Sequence, residues 1–370
     1  MKFSIPLQRL IQNSEIPEKP NVPSGEHLRL RDYVLRRLIL LIPVLLGVTM
    51  IVFTISHMVG DPVAAYVSER TSEDQIKQVI RQRGLDQPLY IQYFIYLADL
   101  LRGDWGLSRS VSDRPVTEVI AQFFPATLEL TLVALVMMLV IGIPLGIISA
   151  TRKDKFLDHA SRIFALSGVS MPIFWLGLLM LLVFYYYFQV LGLPNLPGAG
   201  RVDPFLYPPL KSITGLYLID SVLQGRVDAF FDVLGHLIMP AIALGYHGVA
   251  LITRMMRSSM LEVLRQDYIT LARSKGLSER VVIYRHALKN AMIPTVTVTG
   301  LAFGNLLTGA PLTETVFSWP GIGRWAAGAI LTTDFSAITG FTIVAALIYV
   351  FANLIVDLVY AALDPRIRLQ

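Results

Sequence analysis

The side chains able to do chemistry in this 370-residue chain gather in one basic stretch, Arg257 to Pro294, RSSMLEVLRQDYITLARSKGLSERVVIYRHALKNAMIP. It sets Arg257, Arg265, Arg273, Lys275, Arg280, Arg285 and Lys289 against Glu262, Asp267 and Glu279. Such a set suits contact with a charged surface or a partner protein. Bond-making chemistry is nowhere prepared, since the sequence has no GxxxxGK[ST] phosphate loop, no HExxH and no GxSxG. His57, His159, His236, His247 and His286 fall in different segments, and with no cysteine there is neither a disulfide nor a thiolate metal site. The chain reads as catalytically silent, with no metal site.

Within the stretch, Leu261, Leu264, Tyr268 and Leu271 recur at three- and four-residue spacing, which predicts one helix face. Gly276 after the basic Lys275 is a helix stop, because glycine tolerates the left-handed conformation there. Ser278 then opens a second helix, with Glu279 in its first turn. The expectation is helix, sharp turn, helix, too charged to span a bilayer yet apolar on one side. It is either an amphipathic loop on lipid headgroups or a docking element on another protein. The basic excess also raises nucleic acid. The flanking apolar runs and the lack of a nucleic-acid module argue against it.

Asp267, Tyr268, Ala272, Arg273, Lys275, Gly276 and Leu277, then His286, Ala287, Leu288, Asn290, Ala291 and Pro294, resemble a family pattern: DYxxxARxKGL followed by HALxNAxxP, found in permeases of ABC importers for dipeptides, oligopeptides and nickel. The wider loop pattern of ABC importer permeases is E-A-A, three residues, Gly, nine residues, I-x-L-P. It is kept at Ala272, Gly276 and Leu288 and departed from at Thr270, Leu271, His286 and Lys289. Further likenesses are GDP at Gly60–Pro62, GLDQP at Gly84–Pro88, LLRGDWGLS at Leu100–Ser108, TETVFSWPGIGRWAAGAILTTDF at Thr313–Phe335 and DPR at Asp364–Arg366. The resemblance covers roughly Asp32 to Leu369.

It implies a type I ABC importer permease: an all-α membrane protein of six transmembrane helices, with an external helical segment between the first two. A cytoplasmic coupling-helix loop would lie between the fourth and fifth. The implied partners are a second homologous permease, two ATPase subunits that bind ATP and Mg, an external solute-binding protein and the lipid membrane. No cofactor is implied for this chain. Di- or oligopeptides are the first expected cargo, with nickel or oligosaccharides as alternatives. In the loop, Leu264, Tyr268, Leu271 and Ala272 are expected to make the apolar contact with an ATPase subunit. Arg265, Arg273 and Lys275 would form its polar rim, beside Asp267, with Gly276 supplying the turn.

The whole-chain totals agree with a membrane protein. Hydrophobic residues make up 54% and charged residues 16%, the latter well below the roughly 25% of soluble domains, and the mean hydropathy is +0.57. The net charge of +5 matters through its placement, because basic residues in short loops set orientation. Residues 1–33 read as a cytoplasmic N-terminal extension, rich in Pro and Glu from Ser14 to Gly25 and without a signal-peptide cleavage site. The first span is 34–55, with Arg31, Arg36 and Arg37 placing its start in the cytoplasm. The external segment is 56–123. In it, Ser72 with Gln75 predicts a capping box, Gly84 a stop, and Pro88 the start of a second helix ending near Gly103.

A five-span core follows at 124–363: Phe124–Ala150, Arg162–Val190 bent at Pro172, Phe231–Met255, Ala291–Pro311 and Ser336–Leu363. The coupling loop is 257–290, and 364–370 is a cytoplasmic tail. Both termini are expected in the cytoplasm of a cell-membrane protein.

Other residues stand out on these spans. Glu129 is an ionisable group in the outer part of a span, either lining a path, structurally paired or at an interfacial position. Gly142, Pro144 and Gly146 predict close packing and a kink, and Gly300 and Gly304 form a GxxxG pair beside Thr297, Asn305 and Thr308. That pair is either a packing seam or a seam lining a translocation path between two permeases. Trp319, beside Pro320, and Trp325 read as interfacial anchors; the family resemblance implies that their loop lies over the outer mouth, with gating as the alternative. A self-sufficient secondary transporter would instead show an internal repeat and mid-membrane coupling charges. Neither is evident in this sequence.

Overall fold

The computed structural model describes residues 30–59, 63, 66–67, 71–203 and 210–363. The N-terminal extension as far as residue 29, the GDP motif at 60–62 and the DPR tail lie outside the described residues. Among the described residues the regular structure is helical apart from one two-stranded antiparallel hairpin, β1 (Leu107–Ser108) with β2 (Arg114–Pro115).

Among the described residues five helical runs are long and apolar enough to cross a bilayer. They lie in α1 (Leu30–Val59), α4 (Val116–Thr151), the run from α6 (Ile173–Met180) to α7 (Phe188–Val190), α9 (Val227–Val263) and α14 (Phe335–Leu363). A further 29-residue helix, α12 (Leu288–Val316), stands where the fifth span is expected and packs on α9, α14 and α4. At about 1.5 Å per residue it is long enough to cross a roughly 30 Å hydrocarbon core.

The segment 56–123 follows its local signals where it is described. α2 (Glu73–Gln82) begins at the expected capping box, with the Ser72 amide donating to Gln75 Oε1 at 3.1 Å, and the chain turns at Gly84 with φ +61°. α3 (Leu89–Leu101) ends before Gly103, φ +84°. Its two buried polar residues are satisfied inward. Gln92 Nε2 donates to the carbonyls of Leu85 and Gln87, and its Oε1 lies 2.9 Å from His57 Nε2 on α1. Asp99 accepts from Arg83 at 2.7 Å, and Arg83 also reaches Asp104 at 2.6 Å.

The third span departs from expectation. Pro172 does not bend a continuous helix but separates α5 (Phe156–Ser170) from α6. Met171 before it is extended, φ −91° and ψ 123°, as the clash with the proline ring requires. The spanning run is therefore Ile173–Val190 alone.

The interior is organised by α4 and α9, the pair in most extensive contact. Glycine makes their approach possible. A Cβ on Gly142 would meet Ile252 at 2.8 Å, one on Gly146 would meet Met256 at 2.5 Å, and one on Gly248 would meet Met138 at 2.1 Å. The close packing expected of the GIPLG stretch is thus directed at α9. Leu130, Ala134, Met138, Leu237, Ala241, Leu244 and Ile252 fill the seam around these contacts.

Replacing Gly146 by valine forces the two backbones apart, and overpacking of this kind destabilises by about 1–3 kcal/mol. The expected reading is a lower unfolding temperature in detergent. Gly47→Ala on α1 is the comparison, since a Cβ there meets nothing within 4 Å, and it should leave the transition unmoved.

Candidate functional site

The basic stretch folds as an elbow between α9 and α12. α9 ends at Val263, and the Arg265 and Gln266 amides donate to the carbonyls of Glu262 and Val263 at 3.2 and 3.1 Å in a tight turn. Gln266 is extended, φ −74° and ψ 149°, and starts α10 (Asp267–Ser274), with Asp267 suitably placed against the positive end of the helix. The helix closes with the Gly276 amide on the Arg273 carbonyl at 2.9 Å, Gly276 itself at φ +74°. Ser278, in extended conformation, then precedes α11 (Glu279–Val281), and a π-helical stretch, Val282–Ala287, leads straight into α12.

The sequence reading of helix, turn, helix needs one correction. Leu261 and Leu264 do not share a helix with Tyr268 and Leu271, because the chain breaks at Gln266 and the helical phase resets. The inward face of α10 is instead Ile269, fully buried, and Ala272, 7% exposed. Both sit in a cluster with Ile147 and Ala150 of α4, Met256 and Met260 of α9, and Val282, Ala287 and Ala291. Leu264 is half-buried against the same cluster. Ala272, expected to face a partner, therefore faces this chain. Ile269 was missed because glutamine is a weak cap and leaves little trace of a helix start.

The outward face keeps Tyr268 at 41%, Leu271 at 57% and Leu277 at 39% exposure. Arg265, Asp267, Arg273, Lys275 and Gly276 are also exposed. Arg273 Nε donates to Glu279 across the turn at 2.8 Å, and Asn290 Nδ2 of α12 donates to the Tyr268 hydroxyl at 2.7 Å.

A buried clamp lies beside the elbow. Arg257 of α9 gives Nε and Nη2 to the two oxygens of Asp158 on α5, at 2.7 and 2.8 Å. Ser149 Oγ of α4 and the Asp154 amide also donate to that carboxylate, which is wholly buried. Arg257 above all, with these donors, holds the Asp158 carboxyl well below the usual carboxylate range. Because the folded value is depressed, the clamp is complete above the ordinary carboxylate range and is lost only as pH falls through the lower value.

On the opposite side of the bundle, Glu129 is 3% exposed and pairs with Arg201. Its other oxygen accepts the Leu218 amide at 2.7 Å, next to α8 (Tyr217–Leu223). The Arg201 guanidinium lies 3.8 Å from the Tyr217 ring centroid. Of the three sequence readings, the geometry matches the structural pair. Trp319 is fully buried and donates from Nε1 to the Ala126 carbonyl at 2.9 Å, and Trp325 is 6% exposed and donates to Ser108 Oγ at 3.1 Å. Neither is an interfacial anchor; both are internal fasteners, and Pro320 is half-buried beside Trp319.

Trp325 belongs to α13 (Ile322–Leu331), whose start is fixed by Glu314. That carboxylate accepts Thr127 Oγ1 at 2.6 Å and the Arg324 amide at 2.8 Å. Gly304 faces Tyr349 of α14, 3.5 Å from a built Cβ; Gly300 is buried; and Thr297 Oγ1 donates along its own helix to the Ile293 carbonyl at 3.4 Å. The side chains of Asn305 and Thr308 lie outside the described residues.

The chain is similar in sequence to known proteins. Residues 142–369 match the family described as binding-protein-dependent transport system inner membrane component, and residues 30–131 match its N-terminal companion. A probable D,D-dipeptide transport system permease protein, DdpB of Escherichia coli K12, is 48% identical over 88% of this chain and 94% of its own. A dipeptide transport system permease protein, DppB of Alkalihalophilus pseudofirmus, is 47% identical over 91% of this chain and 99% of its own. Among solved structures, an inward-facing MetNI methionine ABC transporter aligns with a TM-score of 0.47 at 15% identity, over 67% of this chain and 97% of that one.

The two faces of α10 can be told apart by mutation. Ile269→Ala removes a fully buried side chain, a change of about 2–5 kcal/mol, and should speed amide hydrogen exchange throughout α10. Leu271→Ala on the exposed face should stay within about 0.5 kcal/mol and leave exchange unchanged.

Proposed function

The chain belongs to the family of binding-protein-dependent transport system inner membrane components, and from that membership we propose that it is the permease subunit of an ATP-driven importer of dipeptides. The substrate class rests on relatives named as dipeptide permeases at 42–48% identity over nearly their whole length.

The observation that carries the mechanism is the two-faced elbow. Ile269 and Ala272 fasten α10 to the ends of α4, α9 and α12, while Tyr268, Leu271 and Leu277 stand exposed among Arg265, Arg273 and Lys275. An apolar patch rimmed by cations fits a groove on another protein. The proposed occupant of that patch is an ATPase subunit, one of two that bind ATP and Mg, since this sequence carries no phosphate loop. A second permease and an external solute-binding protein complete the proposed assembly.

In this reading the elbow and both termini lie in the cytoplasm. ATP-driven closure of the two ATPase subunits moves α10, and the helices it is fastened to carry that movement to the spans. The path then opens alternately to the two sides. The Asp158–Arg257 clamp would hold α5 to the moving helices.

Gly276 tests the coupling. Nothing lies within 4 Å of a Cβ built there, so Gly276→Val is disfavoured only by its φ of +74°, a conformation that β-branched residues avoid. Asparagine, which tolerates that conformation, is the control. Gly276→Val should insert normally and lose at least about tenfold in labelled dipeptide uptake by the assembled transporter, a factor equal to about 1.4 kcal/mol. Gly276→Asn should retain most uptake. Full uptake by the valine variant would refute α10 as the coupling element, and no dipeptide uptake by the unaltered transporter would refute the substrate.

A further inference from the structure

Beside the clamp, α5 and α9 bound a groove of about 660 Å³ lined by His159, Arg162, Ile163, Leu166, Arg254 and Arg257. The four α5 residues follow i, i+3, i+4, i+7 spacing and share one face of that helix; the two α9 residues follow i, i+3. The groove is therefore two facing helical stripes with a polar end and an apolar end. Arg257 is committed to Asp158. Arg162 and Arg254 are exposed and have no acidic partner among the described residues. Ile163, next to Arg162, and Leu166, one turn further along α5, are 69% and 65% exposed.

Two unpaired guanidiniums next to exposed aliphatic side chains fit a ligand that is anionic at one end and apolar at the other. The fit has the right order. α5 rises from the basic turn holding Arg152, Lys153 and Lys155, and the α9 stripe lies at the same end of the bundle, as the Asp158–Arg257 contact requires. From His159 to Leu166 the groove ascends about 10 Å at 1.5 Å per residue, the distance from a headgroup into the first acyl carbons. Basic pockets between spanning helices at one bilayer face recognise lipid headgroups in this way.

We propose that this groove binds an anionic phospholipid, its phosphate held between Arg162 and Arg254 and its upper acyl carbons along Ile163 and Leu166. Such a lipid would bridge α5 and α9 next to the elbow. The proposal rests on the membrane assignment, but not on the solute carried or on which bilayer face is cytoplasmic.

Native mass spectrometry of the full-length protein in detergent micelles, titrated with phosphatidylglycerol or phosphatidylcholine, tests it independently of transport and orientation. Phosphatidylglycerol should bind in preference. Arg162→Gln with Arg254→Gln should weaken it by roughly 30-fold and leave phosphatidylcholine unchanged. Arg162→Lys with Arg254→Lys should keep most of the binding. Both arginines are exposed, so the unfolding temperature should hold; if the glutamine pair loses it, Arg162→Gln alone decides, with about a fivefold weakening expected. Equal binding of the two lipids, or undiminished phosphatidylglycerol binding by the glutamine variant, overturns the proposal. Glycerol phosphate binding as tightly as the lipid, with the same arginine dependence, also overturns it by assigning the site to a free phosphate.

Discussion

Lipid tails are as apolar as leucine, so helices in a bilayer gain little by hiding apolar surface from one another; they are held by how closely their backbones can approach. In this chain that constraint falls on α4 and α9. Gly142, Gly146, Gly245 and Gly248 remove the side chains that would hold the two helices apart, and Val249 and Thr253 carbonyls lie close to the places where a Cβ would stand. Both helices exceed 35 residues and so project beyond a hydrocarbon core of roughly 30 Å. Their protruding ends, rather than their middles, carry the parts with functional character.

Toward the end of the bundle where α4 begins lie polar fasteners. Glu129 on α4 grips Arg201 and the start of α8, Ala126 accepts Trp319, and Thr127 joins Glu314 to the start of α13. Asp334, 2% exposed, accepts from Ser108 and Ser110 and so ties the β1–β2 hairpin to the beginning of α14. Buried charges are expensive unless every oxygen has a donor, and breaking one such pair is worse than never having made it. Here each carboxylate oxygen has a donor, and such contacts select one arrangement of the loops at this end of the bundle. Those loops are fastened at several separate points, which is how short helices and turns can keep their shape without a large core of their own.

What could be read from the sequence depended on range. Helix starts and stops are legible at Ser72, Gly84 and Gly103 in the 56–123 segment and at Gly276 in the elbow, because a capping side chain or a positive φ acts within a few residues. The order of apolar runs was legible for the same reason: a span is a local property of composition. Partners distant in sequence left no mark. Nothing near Glu129 announces Arg201, 72 residues away, and the composition around Trp319 suits a membrane interface as well as a buried fastener. Within the elbow, the phase of α10 was misread by extending α9's periodicity across Gln266. A periodic pattern cannot report a break at which both sides remain helical.

The elbow's two faces have unequal demands, and this decides what it can do. An exposed amphipathic helix of eight residues is not stable alone, since isolated helices shorter than about 12–15 residues are marginal. α10 persists because Ile269 and Ala272 are packed among residues from three helices, with Asn290 holding Tyr268 from the side. A force applied to Tyr268 or Leu271 therefore cannot be absorbed by α10 alone; it passes to the ends of α4, α9 and α12 together. The Asp158–Arg257 pair adds α5 to that group, and the break at Met171–Pro172 separates α5 from α6. The structure thus joins the elbow, α5 and the ends of α4, α9 and α12 in one packed cluster, and the helical path breaks between that cluster and α6.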